Sequence, residues 1–310
     1  SLLKRLSKRR KHSLASEENQ LFHPSAAETL ESRRMLAGNV SAVVSRGGDL
    51  SIYGDNADNN FVVHGTEVEG ELFIEGKDGT TINGQESLTI RGVSDDVRVV
   101  LRGGNDNFLL TGVPDGSATA GTIDFIDDVF VTGAAGNDSI TIEGIVNGGN
   151  VTVLSGSGND AIGLAAMNVD NITLLTGSGD DAIGMPLAVT ANGNTFIAMG
   201  GGDDVVTISG GTSGIFQTNF EGNFTVLGGG GDDGLAVDGA NFQGGHVYLG
   251  GGGQDQMQVG DASYAFSPLV LGVEQSGNNI DSVVISPATQ PAVVAGLTLW
   301  FQEGLGQFFI

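Results

Sequence analysis

The sequence predicts an all-β protein, a single parallel β-solenoid of about nine to ten coils of about 22 residues each. Three features carry this expectation: a Gly-Asp turn that recurs along the chain, strand-like alternation on both sides of it, and a constant offset from each turn to an upstream landmark. The turn is clearest in Met199-Gly-Gly-Gly-Asp-Asp204-Val-Val-Thr-Ile208, and it returns around Asp106, Asp138, Asp160, Asp181, Asp233 and Asp255. Ten residues before each of these aspartates stand Asp96, Asp128, Asn150, Asn171, Asn194, Asn223 and Gly245. A degenerate copy begins at Asp49, with Asn59 in the aspartate position, and a further one is expected at Glu71, where Leu72 and Ile74 fit the pattern.

Each element follows from its apolar positions. Two and four residues after the turn aspartate the chain is apolar in all seven copies, as in Ile140/Ile142, Ile162/Leu164 and Val206/Ile208, with small or polar residues between. That period of two is a strand with one buried face. Nine and seven residues before the aspartate the same alternation recurs, as in Val97/Val99, Val151/Val153 and Phe224/Val226. Strands beginning at Asn150, Asn171 and Asn223 should therefore share one parallel sheet, with the strands after each aspartate in another. Glycine joins the two because a tight corner requires positive φ and close backbone approach. A single unit cannot bury its own apolar face, whereas stacked units share a core. The linkers leave a three-sided helix and a flatter two-sided roll equally open. The longer steps, Pro114 to Asp127 and Gly210 to Gly222, are expected to leave the stack as loops.

Three segments follow: a basic leading stretch, residues 1–40, expected to be disordered and to act in export or sorting; the solenoid, residues 41–290; and a C-terminal cap or remnant, residues 291–310. Charge separates the first two. The chain carries 13 Lys+Arg against 37 Asp+Glu, a formal net charge of -24, yet eight of the basic residues lie before position 41 and none lies after Arg102. A surface without Lys or Arg does not displace counterions from a phosphate backbone, so nucleic acid is excluded as a partner of the body, and an anionic membrane surface is disfavoured for the same reason. Multivalent cations are its natural partners. The absence of cysteine removes disulfides, thiolate metal sites and cysteine nucleophiles. The apolar run from Ala292 to Phe301 is too short to span a bilayer, so no transmembrane segment is expected.

The leading stretch has a basic run, then Phe22-His-Pro, then Glu28-Thr-Leu-Glu31-Ser-Arg33-Arg34-Met-Leu36-Ala37. It resembles the N-terminal motif of many large exported planctomycete proteins, with Met35 where leucine is common, and the resemblance implies export to an extracellular or cell-surface location. A second resemblance lies in the turns. Gly228-Gly-Gly-Gly231-Asp-Asp233-Gly-Leu235-Ala236 and Gly250-Gly-Gly-Gly253-Gln-Asp255-Gln-Met257-Gln258 match the glycine-rich nonapeptide of RTX, or hemolysin-type, calcium-binding repeats. That resemblance implies Ca2+ held by Asp160, Asp181, Asp204, Asp233 and Asp255, with backbone carbonyls of corner glycines such as Gly202, Gly231 and Gly253. Oxygen ligands of this kind suit a hard cation. The sequence departs from RTX repeats in spacing, with one nonapeptide per coil of about 22 residues, so only one edge of the stack would carry metal. A metal-free alternative stands beside it: Asp and Asn commonly accept hydrogen bonds from turn amides, a role that suits Asn59, Asn105, Asn137 and Asn159.

For function, the expectation is an exported, non-enzymatic, calcium-binding repeat protein with a structural or adhesive role at the cell surface, its partners calcium and a surface polysaccharide or envelope protein. The alternative is a polysaccharide-active β-helix enzyme: a lyase, epimerase or hydrolase. Near-identical aspartate sites weigh against catalysis, since an active site is a unique place on a repeat array. His246 and Tyr248 form the one neighbouring pair with acid-base potential after Arg102, and both fall on inward strand positions. Arg91, Arg98 and Arg102 cluster near the third coil, where pairing with Asp95 and Asp96 is the plain expectation.

Overall fold

The computed structural model describes residues 38–112, 122–210, 217–260, 262–265, 268–271 and 282–285. Among them every regular element is a strand, and the chain winds as a parallel β-solenoid. The first sheet stacks Leu50–Tyr53, Val97–Gly103, Val129–Ala135, Val151–Ser157, Ile172–Ser178, Thr195–Gly201, Phe224–Gly230, His246–Gly252 and Leu269–Leu271, each parallel to the next. The second stacks the strands after each turn, from Asn60–Gly65 and Asn107–Thr111 through Ser139–Glu143, Ala161–Val169, Ala182–Ala191, Val205–Ser209, Gly234–Asp238 and Gln256–Val259 to Ser282–Ile285. Register is kept by equivalence: Val151 pairs with Ile172, which pairs with Thr195, which pairs with Phe224.

Alternation fixes which side chains face in. Val151 and Val153, Ile172 and Leu174, and Phe224 and Val226 are each no more than 1% exposed, while Thr152, Leu154, Thr173 and Leu175 between and beside them face out. Each coil alone exposes a thin apolar strip. Stacked, the strips become one core running the length of the solenoid, and burying a side chain such as Ile142 or Leu164 contributes about 1.5–3 kcal/mol.

A third side is present. Ala161–Val169 and Ala182–Ala191 are long strands whose register shifts between Gly163 and Ala165, and their far ends pair as Met167 with Val189. Thr218–Phe220, Ala240–Phe242 and Ser263–Tyr264 continue that side. Its inner wall is aromatic: Phe242 stacks on Phe220 at 5.2 Å, on His246 at 4.5 Å and on Tyr264 at 4.9 Å between ring centres.

The N-terminal end corrects the sequence reading at Glu71. Glu71–Gly76 runs antiparallel to Asn60–Gly65 and to Ser87–Arg91, so this stretch is not a coil. Leu50–Tyr53 pairs directly with Val97–Gly103, and the intervening segment turns aside to cover the end of the second sheet. Asn39–Val44, antiparallel to Leu50–Tyr53, does the same for the first sheet, so the folded body begins before position 41. Antiparallel strands that break the repeat blunt an edge that would otherwise pair with another chain. Residues 1–37, the middles of the two expected loops (113–121 and 211–216) and the expected C-terminal cap lie outside the described residues; the end of the second step does not leave the stack, since Thr218–Phe220 pairs within the third side and buries Phe220.

Candidate functional site: the aspartate corner

Each corner is built by two residues with positive φ, four and two before the aspartate. Gly200 and Gly202 have φ of 107° and 131°, and their counterparts repeat it through the stack. A Cβ on Gly202 would lie 2.1 Å from the Gly179 carbonyl oxygen of the coil below, so this position excludes any side chain. Gly231 and Gly253 meet the same limit, at 2.0 Å from Gly202 O and Gly231 O. In two early coils the outer of the two positions is Arg102 (φ 77°) or Ala134 (φ 86°), which hold the left-handed conformation at a cost.

The aspartates that follow turn inward and form a ladder. Asp106, Asp138, Asp160, Asp181, Asp204, Asp233 and Asp255 are all 1–3% exposed. Each carboxylate Oδ1 accepts the backbone N–H of the equivalent residue one coil earlier: Asn59 N–H to Asp106 at 2.7 Å, Asp138 N–H to Asp160 at 2.8 Å, Asp181 N–H to Asp204 at 2.7 Å, and Asp204 N–H to Asp233 at 3.0 Å. The last rung joins Asp233 N–H to Asp255 at 3.0 Å. The ladder therefore satisfies corner amides that no sheet bond reaches. The metal-free role foreseen for these residues is present, with one difference: the amide accepted belongs to the neighbouring coil rather than to the residue's own turn.

The other carboxylate oxygen is poorly served. Oδ2 of Asp106, Asp138, Asp204 and Asp233 is buried with no hydrogen-bond partner. In the coils of Asp138 and Asp233 it lies over an inward glycine, where a Cβ on Gly133 or Gly228 would approach it to 2.2 or 2.4 Å. Burial raises the pKa of Asp106 and Asp204 to about 6 and of Asp138 and Asp233 to about 7, from 3.8, with the ladder N–H opposing the rise and nearby carboxylates adding to it. Asp160 and Asp181 are raised for the same reason, and the Ser155 and Thr176 hydroxyls beside them hold the rise back. A carboxyl group in this setting favours its neutral form.

Two further polar rows flank this one. Immediately before each ladder aspartate an exposed row runs in the opposite sense, the later coil donating to the earlier: Asn137 N–H to Asn105 Oδ1 and Asn159 N–H to Asn137 Oδ1 at 2.8 Å, Asp203 N–H to Asp180 at 3.0 Å, and Asp232 N–H to Asp203 at 2.8 Å. At the opposite corner the landmark residues repeat that arrangement, with Asn150 N–H to Asp128 at 2.6 Å and Asn223 N–H to Asn194 at 3.0 Å. The landmark is thus an amide acceptor, which is why Asp and Asn interchange there.

These rows bear on calcium. The five aspartates and three glycines nominated by the sequence do stack on one corner, but each ladder carboxylate is bonded to an amide through Oδ1 and is no more than 3% exposed, with no room for water to complete an ion's shell. Among the described residues, three carboxylates close enough to share an ion occur instead at the landmark corner of the first coils: Asp49, Asp95 and Asp96, and again Asp96, Asp127 and Asp128, their oxygens within 4.8 Å of one another. Asp95 there has a raised pKa, chiefly from the charge of Asp96 and then from partial desolvation and Asp49, Asp127 and Asp128. Three such oxygens in partly solvated positions fit a hard divalent cation completed by water. The sequence reading passed over this cluster, although the doubled acids at 95–96 and 127–128, falling on the same landmark in successive coils, signal it.

The remaining candidates have structural positions. His246 is 1% exposed, both ring nitrogens lack hydrogen-bond partners, and burial lowers its pKa to about 3; Tyr248 is 3% exposed, its hydroxyl 3.4 Å from the Asp233 carbonyl. Both fill the core, as their strand positions imply. Arg91 pairs with Glu71 at 2.6 Å rather than with Asp95 or Asp96, and Arg98 lies 5.2 Å over the Phe130 ring. An open groove of about 370 Å³ on the third side is lined by residues including Met167, Asn168, Thr190 and Asn219, none of them ionisable. Comparison with family models, with curated proteins and with solved structures finds no match to this chain, so its function is argued from its own residues.

Proposed function

We propose that this chain is an exported, non-enzymatic β-solenoid that serves as a calcium-binding structural or adhesive element at the cell surface. The observation that carries the reading is the equivalence of the coils: the corner that gathers the most ionisable groups performs the same amide-accepting task in every coil. Catalysis would need one coil that departs from its neighbours with an exposed acid-base pair. His246, the histidine nearest such a role, is buried and neutral at physiological pH. The third-side groove offers amides, a hydroxyl and apolar surface, which suits contact with a neutral polysaccharide more than its cleavage.

Export rests on the resemblance of the leading motif. No helix among the described residues is long and apolar enough to cross a membrane. Calcium rests on the -24 net charge and on the two aspartate triads. The test is calorimetric titration of the full chain with calcium and, separately, magnesium, with circular dichroism before and after chelation. Saturable calcium binding with preserved β structure supports the proposal, and the absence of any calcium heat removes its metal component.

A further inference from the structure

Backbone strain and an uncharged row meet on the third side. Two residues before Asn168, Thr190 and Asn241 the chain turns through a left-handed residue: Ala166 (φ 50°), Ala188 (φ 49°) and Gly239 (φ 78°). Glycine is forced at 239, where a Cβ would lie 1.9 Å from Gly210 O. Alanine at 166 and 188 holds the same conformation at a cost that glycine would avoid, and both residues line the open groove. Strain kept where glycine would serve points to a use for the side chain. The residues that follow form a straight row. Register pairs Asn168 with Thr190, Thr190 with Asn219, Asn219 with Asn241 and Asn241 with Ser263, so five successive coils present an amide or a hydroxyl at one position. Val169, Ala191, Phe220 and Phe242 beside them are buried, which turns this row outward. At about 4.8 Å per coil the row is roughly 19 Å long. Asn241 Nδ2 donates to Asn219 Oδ1 at 3.0 Å, and Asn192 Nδ2 donates to Asn168 Oδ1 at 2.9 Å. These bonds orient the amides and leave Nδ2 of Asn168 and Asn219 and Oδ1 of Asn241 available to a ligand.

Chemistry and spacing narrow the occupant. No residue lining the groove is ionisable, and the -24 net charge of the chain repels polyanions, so the ligand is neutral. A peptide adding as a strand needs unpaired backbone groups, whereas Thr190, Asn219 and Asn241 are each paired through the backbone to a coil on either side. Side chains on one face of an extended peptide also recur every two residues, about 6.6–6.8 Å, out of step with a row spaced at about 4.8 Å. The groove is open, which suits the flank of a long chain rather than an enclosed small molecule. A straight chain of pyranose rings advances by close to one sheet spacing per ring. Its hydroxyls both donate and accept, as the amides and the Thr190 hydroxyl do. Its C–H faces match the apolar part of the lining at Val146, Ala166 and Ala188.

We propose that the third side binds a neutral, ribbon-like polysaccharide, its rings lying along Asn168, Thr190, Asn219 and Asn241 and against Ala166 and Ala188. This rests on the adhesive reading above, to which it gives a ligand class, and it needs no metal. The test is native gel electrophoresis of the full chain, in chelator, through gels containing hydroxyethyl cellulose or galactomannan. Wild type should be retarded by these straight-backboned neutral polymers, and not by dextran, whose backbone is flexible, or by polygalacturonate, which is anionic. Asn168→Ala with Asn219→Ala should weaken the retardation at least tenfold. Thr190→Val keeps the side-chain shape and loses only the hydroxyl, and it should weaken retardation about threefold with an unchanged circular dichroism spectrum. Thr152→Ala with Thr173→Ala, on the first sheet, should leave it intact. Wild-type mobility that ignores both straight polymers would overturn the proposal. So would equal retardation by dextran or polygalacturonate, or retardation that survives undiminished in both third-side variants. Because calcium is absent throughout, failure here leaves the calcium reading standing, and a failed calcium titration leaves this proposal standing.

Discussion

Raising the pH should destabilise this fold through its interior, and the ladder sets the size of the effect. Asp106 and Asp204 titrate near pH 6, and Asp138 and Asp233 near pH 7, in the folded chain, against 3.8 for an ordinary aspartate. Their folded pKa values are raised, so the folded state holds protons that the unfolded chain has already released. Stability is then greatest below the unfolded value, falls as the pH climbs from about 4 to about 7, and levels off above that. Each rung that stays protonated in the fold contributes a slope of about 1.4 kcal/mol per pH unit. One such rung across pH 5 to 7 gives a loss of about 3 kcal/mol, and mutual repulsion spreads the remaining rungs over the same window. Urea unfolding followed by circular dichroism measures this, in chelator and at about 1 M salt, where the Debye length of about 3 Å suppresses the exposed acid rows. Asp138→Asn with Asp233→Asn should flatten the curve, since asparagine keeps the Oδ1 acceptor and does not titrate. A stability that is flat or rises between pH 5 and 7 would refute the reasoning.

The corner backbone gives two opposite expectations. Gly202→Ala must place a Cβ 2.1 Å from Gly179 O at a φ of 131°, so urea titration should show a loss of at least about 1–3 kcal/mol. Ala134→Gly relieves a φ of 86° in the equivalent corner and should gain up to about 1 kcal/mol in the same assay. On the third side, Phe242→Ala removes the ring between Phe220, His246 and Tyr264 and should cost about 3–5 kcal/mol, with protease cleavage beginning in the C-terminal coils.

Much of the solenoid was legible because its signal repeats. Ile140, Ile162, Ile183 and Val206 occupy one register position, and no antiparallel arrangement would keep them twelve residues after a landmark and two after an aspartate. The reading failed where a coincidence of spacing imitated a coil: Leu72 and Ile74 alternate as a strand should, but antiparallel pairing with Val63 and Gly65 is as compatible with that alternation as parallel stacking. Periodicity reports which face is buried, not the direction of the neighbour. The third side was undecided for a related reason, since Val169, Ala191 and Phe220 are apolar residues in linkers of unequal length, and the register shift after Gly163 brings them into line.

The aspartates were harder to read because glycine-rich corners serve two chemistries with the same residues. Positive φ at Gly202 and Gly231 is required to stack the coils whether or not an ion is held, so the resemblance to calcium-binding repeats could not separate ligand from hydrogen-bond acceptor. What separates them is burial of one oxygen and the amide bonded to the other, and neither is written in a sequence. The triads around Asp96 depend on Leu50–Tyr53 meeting Val97–Gly103 across the inserted hairpin, a contact that the misplaced coil at Glu71 concealed.

The calcium reading is tested most directly by the calcium dependence of the melting temperature in three proteins at one fixed pH. A metal held only by the folded chain stabilises it by RT ln(1 + [Ca]/Kd), about 2.7 kcal/mol at a hundredfold excess over Kd. Wild type should melt higher in calcium than in chelator. Asp204→Asn with Asp233→Asn should keep that rise, because the oxygen those carboxylates do not bond to an amide is sealed in the core. Asp95→Asn, Asp96→Asn and Asp127→Asn together should abolish it. A wild-type melt indifferent to calcium would contradict the account, and so would a rise lost in the ladder variant but kept in the triad variant.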